Sequence, residues 1–156
     1  MSGRRVLFVL GLLLFGSLCS AQLFQDDEGL YYDDNDELYS GTYIEFFSNG
    51  SKRLEMNLKN GVRDGLVTIY FENGEKNEVR SFKDGKMDGT WITWNEEGIK
   101  TGIANYRNDL KHGEWQIWDD NGTLRFEMHY KSGNKTGTWK MYDGDGNLIA
   151  EEAFPG

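Results

Sequence analysis

Cysteine, proline and histidine are nearly absent from this chain. Its one cysteine, Cys19, cannot form an intramolecular disulfide or a thiolate metal site. A single proline, Pro155, with 14% aromatic residues is neither the composition of a linker nor that of a disordered chain. Two histidines, His112 and His129, are too few for a histidine metal cluster. Catalysis by them would need both within hydrogen-bond reach of one substrate. No glycine-rich phosphate loop occurs, and serines such as Ser40, Ser48, Ser51, Ser81 and Ser132 lie mostly at turns with no strand-to-helix elbow to activate a nucleophile.

Long apolar runs are scarce too. The longest, Val6 to Phe15, has ten residues, where roughly 20 are needed to span a bilayer. Arg4 and Arg5 precede it and Gly16-Ser-Leu-Cys-Ser-Ala21 follow, which reads as an export signal cleaved after Ala21. Lipid attachment at Cys19 would call for a small residue where Leu18 stands. Residues 1–21 are therefore expected to be a signal peptide, and the protein is expected to be exported, either secreted or held in the periplasm or cell envelope.

Basic residues are in deficit: 17 Lys and Arg against 26 Asp and Glu, and 15 against 26 after the signal. A chain so acidic repels phosphates, which excludes nucleic acid and argues against an anionic membrane surface. Seven of the acids fall in residues 22–40, which hold no base. That stretch reads as an acidic, disordered leader, and the array behind it is only mildly acidic. Asp33-Asp-Asn-Asp-Glu37 invites a calcium-loop reading, but Leu38 occupies the place of the required glycine and no closing glutamate follows. No metal or cofactor is expected.

What the chain has in abundance is glycine, 20 residues, set on a ruler. Gly41, Gly65, Gly89, Gly113 and Gly137 are spaced by 24 residues, and Gly50, Gly74, Gly98, Gly122 and Gly146 repeat the same step. Gly61, Gly85, Asp109 and Gly133 form a third set. Rings obey the ruler as well. Tyr43, Val67, Trp91, Trp115 and Trp139 make one column, and Phe46, Tyr70, Trp94, Trp118 and Tyr142 a second. Leu58, Phe82, Tyr106, Tyr130 and Phe154 make a third. Such alignment without a gap identifies a tandem array. Its units are 41–64, 65–88, 89–112, 113–136 and a shortened 137–156.

Within each unit, Asn/Asp/Gly clusters bound two short segments rich in Thr, Ile, Trp and Tyr, the signature of a hairpin. Asn49-Gly50, Asn73-Gly74 and Asn121-Gly122 supply residues suited to tight turns. In Asp143-Gly-Asp-Gly-Asn147, Asp145 and Gly146 take the places of Asn121 and Gly122, so this segment reads as a turn and not a metal loop. Sequons at Asn49, Asn121 and Asn134 matter only in a eukaryotic source. The fold expected is all-β: an elongated single-layer antiparallel sheet of five tandem 24-residue hairpins, with about ten strands. The first two ring columns stand three residues apart and should point to opposite faces unless a bulge intervenes.

The unit Gly89-Thr-Trp-Ile-Thr-Trp-Asn-Glu-Glu-Gly98, its counterpart Gly113-Glu-Trp-Gln-Ile-Trp-Asp-Asp-Asn-Gly122, and the Tyr130-Lys-Ser-Gly133 that follows resemble MORN repeats. They are most similar to the bacterial variant in proteins labelled antitoxins of the YwqK type. The resemblance covers 41–156 and implies an open trough-shaped sheet that binds or scaffolds and is not an enzyme. It also implies a bacterial envelope or secreted protein. Repeats 1 and 2 depart from the pattern at Tyr43 and Val67, which marks the amino-terminal end as a cap.

The leading functional expectation is a protein-interaction module that uses Trp91, Trp94, Trp115, Trp118, Trp139 and Tyr142, because rings on a rigid strand give contact area at little entropic cost. Two other classes stay open. One is an antitoxin or immunity protein that neutralises a basic toxin by charge, and the other is a surface module that stacks carbohydrate on exposed rings.

Overall fold

Two kinds of turn cut the chain into strands. In the first, two successive residues take positive φ: Asn60-Gly61 (49° and 76°), Asp84-Gly85 (49° and 80°), Asn108-Asp109 (48° and 66°) and Ser132-Gly133 (50° and 88°). This is the type I′ geometry whose twist suits a hairpin, and these turns join one repeat to the next. The second kind lies inside each repeat and is longer. There Gly50, Gly74, Gly98, Gly122 and Gly146 alone take positive φ, each donating its N–H to the carbonyl three residues back. The tight turn expected at Asn49-Gly50 is thus a wider loop, and the two-residue turn sits at the third glycine set.

The computed structural model describes residues 22–156, a range that excludes the expected signal peptide. Among the described residues all regular structure is β. After β1 (Phe24–Gln25) and β2 (Tyr31–Tyr32), the array comprises β3 (Gly41–Phe46), β4 (Lys52–Lys59), β5 (Val62–Tyr70), β6 (Lys76–Lys83), β7 (Lys86–Met87) and β8 (Gly89–Trp94). It continues with β9 (Lys100–Arg107), β10 (Leu110–Lys111), β11 (Gly113–Trp118), β12 (Leu124–Lys131), β13 (Asn134–Tyr142) and β14 (Leu148–Phe154). All but β1 and β2 form one open antiparallel sheet in sequence order, from β3 at one edge to β14 at the other. The short β7 and β10 lead into β8 and β11 and pair with β6 and β9. Ten strands lie on the main path, the number expected, and at the usual interstrand spacing they extend about 40 Å.

A register shift recurs in all five hairpins immediately before the second ring column, at Glu45/Phe46, Ile69/Tyr70, Thr93/Trp94, Ile117/Trp118 and Met141/Tyr142. The extra residue sits on the returning strand, since Thr93 faces Gly102 while Trp94 faces Lys100. Alternation along the first strand is therefore undisturbed, and the two columns point to opposite faces.

The best-buried side chains are Met56, Leu58, Val67 and Phe82, at 4–8% exposure. All four lie on one face of β4–β6, where Leu23, Tyr31 and Tyr39 pack over them. The leader is accordingly not a disordered tail. Its acids serve its own turns: Asp26 Oδ1 accepts the N–H groups of Glu28 (3.0 Å) and Leu30 (2.8 Å), and Asp33 Oδ1 those of Asn35 (2.9 Å) and Glu37 (3.0 Å). Backbone donation from Leu30 and from Glu37 lowers these two carboxyls below the usual range. The leader is also tied to the array, because Tyr31 N–H donates to the Gly61 carbonyl and Gly61 N–H to the Tyr39 carbonyl, each at 2.9 Å.

Candidate functional site

On the face that carries the core, column-one rings on first strands alternate with third-column rings on the returning strands. Cross-strand pairing puts Trp91 opposite Ala104, with Tyr106 opposite Gly89 one step away. The result is one unbroken ladder of seven rings. Centroids are 6.0 Å apart from Phe82 to Trp91 and 4.8 Å from Trp91 to Tyr106. The steps through Trp115, Tyr130, Trp139 and Phe154 are 5.2, 5.2, 5.1 and 4.9 Å. Rings at these separations and tilts attract one another beyond simple area burial.

Hydrogen bonds orient the indoles. Trp115 Nε1–H donates to the Asn105 carbonyl at 2.9 Å and Trp139 Nε1–H to the His129 carbonyl at 3.0 Å. The Trp91 Nε1 is buried and has no partner among the described residues. Cations cover the ring faces: Lys111 lies 4.4 Å from the Trp115 centroid and 4.9 Å from Tyr130, and Lys135 lies 4.3 Å from Trp139 and 4.8 Å from Phe154. Arg80 stands 5.0 Å from Trp91. Both lysines occupy one repeat position, two residues before the leading glycine, and neither has a carboxylate within ion-pair distance among the described residues. Beyond the buried Phe82 every ring of the ladder is half-buried. Ile117 and Met141, flanking it on the same face, are 41% and 40% exposed.

Of the six expected binding residues, Trp91, Trp115 and Trp139 belong to this ladder, while Trp94, Trp118 and Tyr142 lie on the opposite face. Members of that second column are two strands apart, about 10 Å, and among the described residues no ring contact joins them. Polar groups fill the gaps instead. Lys100 lies 5.5 Å from the Trp118 centroid, Arg125 reaches Asp119 at 3.6 Å and Lys140 reaches Glu127 at 3.8 Å. The Tyr142 hydroxyl donates to Glu127, and that bond raises its pKa. Lys111 and Lys135 were not singled out from the sequence, although their shared column was the available signal.

The two histidines have separate surroundings: His112 Nδ1 receives a long 3.4 Å hydrogen bond from Ser132 N–H, and His129 lies against Gly137. Asp143 Oδ1 accepts the N–H groups of Asp145 (3.0 Å) and Asn147 (2.8 Å), the turn chemistry expected there. Among the described residues no group of three or more His, Cys, Asp or Glu is placed to hold a metal, and no helix is long and apolar enough to cross a membrane.

Residues 63–84, 111–132 and 135–154 each match the family model described as MORN repeat variant. No curated protein matches the chain. The three matched segments begin on the 24-residue ruler, with one unmatched unit between the first and the second. That unit keeps the period, the turns and all three ring columns, so the chain carries MORN repeats of the variant type, matched at three places in its repeat array.

Proposed function

We propose that this protein is an exported, non-enzymatic interaction module that holds a protein partner on the ladder face of repeats 3–5. The observation that carries this reading is the row of half-buried rings from Trp91 to Phe154, topped by two lysines that lack carboxylate partners among the described residues. Partly exposed tryptophans and tyrosines are common anchors of protein interfaces, and the lysines lying over these rings add charge beside them. The spare charge of Lys111 and Lys135 favours an acidic partner surface, which lowers support for a basic toxin as target. Lysines over the ring faces likewise leave little flat aromatic surface for sugar stacking.

The test is affinity capture from the native envelope or medium with three baits: the parent protein, an Ile117→Arg/Met141→Arg variant, and Leu66→Arg. Leu66 is 50% exposed and lies on the opposite face. One partner retained by the parent and by Leu66→Arg, but lost by the double variant and weakened by salt, is the expected result. Equal capture by all three baits sinks the assignment of face.

A further inference from the structure

The tryptophan column is interrupted where the leader docks, and the interruption leaves a cavity. Val67 stands where the later repeats carry Trp91, Trp115 and Trp139, and a pocket of about 310 Å³ opens above it. Leu23 and Tyr31 of the leader roof this space, while Leu54, Met56 and Ile69 are part of its floor. Its size is at the lower end of small-molecule sites, and its walls are mostly apolar with a few polar groups, as in such sites generally.

Charge in the walls is unbalanced. Glu45 is matched by Arg53 at 3.7 Å, and Arg80 by Glu78 at 2.6 Å. Arg63 has no carboxylate within ion-pair distance among the described residues. Its guanidinium is held over the Tyr31 and Phe82 rings, 5.6 and 5.4 Å from their centroids, and donates to the Tyr31 hydroxyl at 2.8 Å. Among the described residues nothing else accepts from the Tyr31 hydroxyl or from the remaining guanidinium N–H groups, which can face an anion. A planar carboxylate matches the guanidinium fork, whereas a dianion would exceed the single spare charge beside Glu45.

We infer that the cleft between the leader and β4–β6 is a binding site for a small amphipathic monocarboxylate, its apolar body over Met56 and Val67 and its carboxylate on Arg63. This site shares no anchor residue with the ladder of repeats 3–5, so either can fail without the other.

Titration calorimetry on protein purified from cells expressing the full chain tests it, with decanoate, decanol and decyl phosphate as probes. Decanoate is expected to bind at least about tenfold more tightly than either of the others, the scale of one charge-assisted pair. Arg63→Met, which installs the residue the array itself uses at Met87, should keep the fold and reduce decanoate to the level of decanol. Val67→Trp, which restores the column, should abolish binding of both. Absence of decanoate binding, decanol or decyl phosphate as tight as decanoate, or unchanged affinity in a folded Arg63→Met protein each overturns the inference.

Discussion

Gly61 and Gly74 both take positive φ, 76° and 91°, yet their surroundings separate two costs of adding a methyl group. At Gly74 a Cβ would meet nothing within 4 Å, whereas at Gly61 it would stand 2.6 Å from Leu38 Cδ2 and 3.1 Å from the Tyr31 carbonyl. Gly74→Ala should therefore cost about 1 kcal/mol, the backbone term alone. Gly61→Ala should cost about 2–4 kcal/mol, because overpacking against the leader adds to that term. Urea midpoints of the two variants measure the difference, and equal shifts would show that the leader yields freely at this point. Tyr43 gives the chain an alkaline limit. Burial first, and then the Glu45 carboxylate that accepts its hydroxyl at 3.2 Å, push this phenol up to about 12 from 10.0. An unfolded tyrosine loses its proton near 10 while the folded one keeps it, so the contribution is complete below about pH 10 and is lost as pH rises through about 12. Tyr106 and Tyr142 are raised as well, by burial and by the Glu127 hydrogen bond, so phenolate absorbance should show a group of late tyrosines. Tyr43→Phe should remove the last of them to titrate and flatten stability over this window.

Among the elements, the hairpin is the repeating part and the ring ladder is the glue between hairpins. Among the described residues Trp115 touches rings on both sides, Tyr106 and Tyr130, whereas Phe154 touches one, Trp139. Trp115→Ala is expected to cost about 2–4 kcal/mol, somewhat below the range for fully buried rings, and Phe154→Ala distinctly less. A double-mutant cycle between Trp115 and Tyr130 should return about 0.5–1.5 kcal/mol of coupling, and zero coupling would reduce the ladder to proximity. This much could be read beforehand, since a 24-residue ruler fixes which rings recur and alternation fixes which face they take. Where the turns tighten was misread because Asn-Gly at 49–50 looks like a two-residue turn. The true tight turn, Asn60-Gly61, carries the same dipeptide, so composition does not separate the two sites and paired positive φ does. The order of the leader was hidden for a related reason: seven acids suggest a solvated tail until Asp26 and Asp33 are seen to spend their oxygens on backbone N–H groups. Leu23 and Tyr31 were the apolar hint that the segment has something to bury.

At the scale of the whole molecule, an array of neighbours draws its stability from adjacent interfaces, so its two ends matter differently. The amino-terminal end is capped: Leu23, Tyr31 and Tyr39 cover Met56, Leu58, Val67 and Phe82, the best-buried residues described. At the other edge β14 pairs only with β13, and Leu148 and Ile149 are 50% and 57% exposed. Glu151 and Glu152 place charge on both faces of that strand, a common guard against edge-to-edge association. Amide exchange should therefore be slowest in β4–β6 and fastest in β14. Deleting 137–156 should remove one hairpin and its interface while leaving the amides of β4–β6 protected. Deleting 22–40 should act on the core itself, because three partly buried side chains leave it together. Discounted for their exposure, they contribute about 2–5 kcal/mol, and exchange in β4–β6 should rise to match that loss. If the leader deletion instead leaves the urea midpoint and the β4–β6 exchange rates unchanged, the leader rests on the sheet without stabilising it, and the cleft beneath it has no fixed roof.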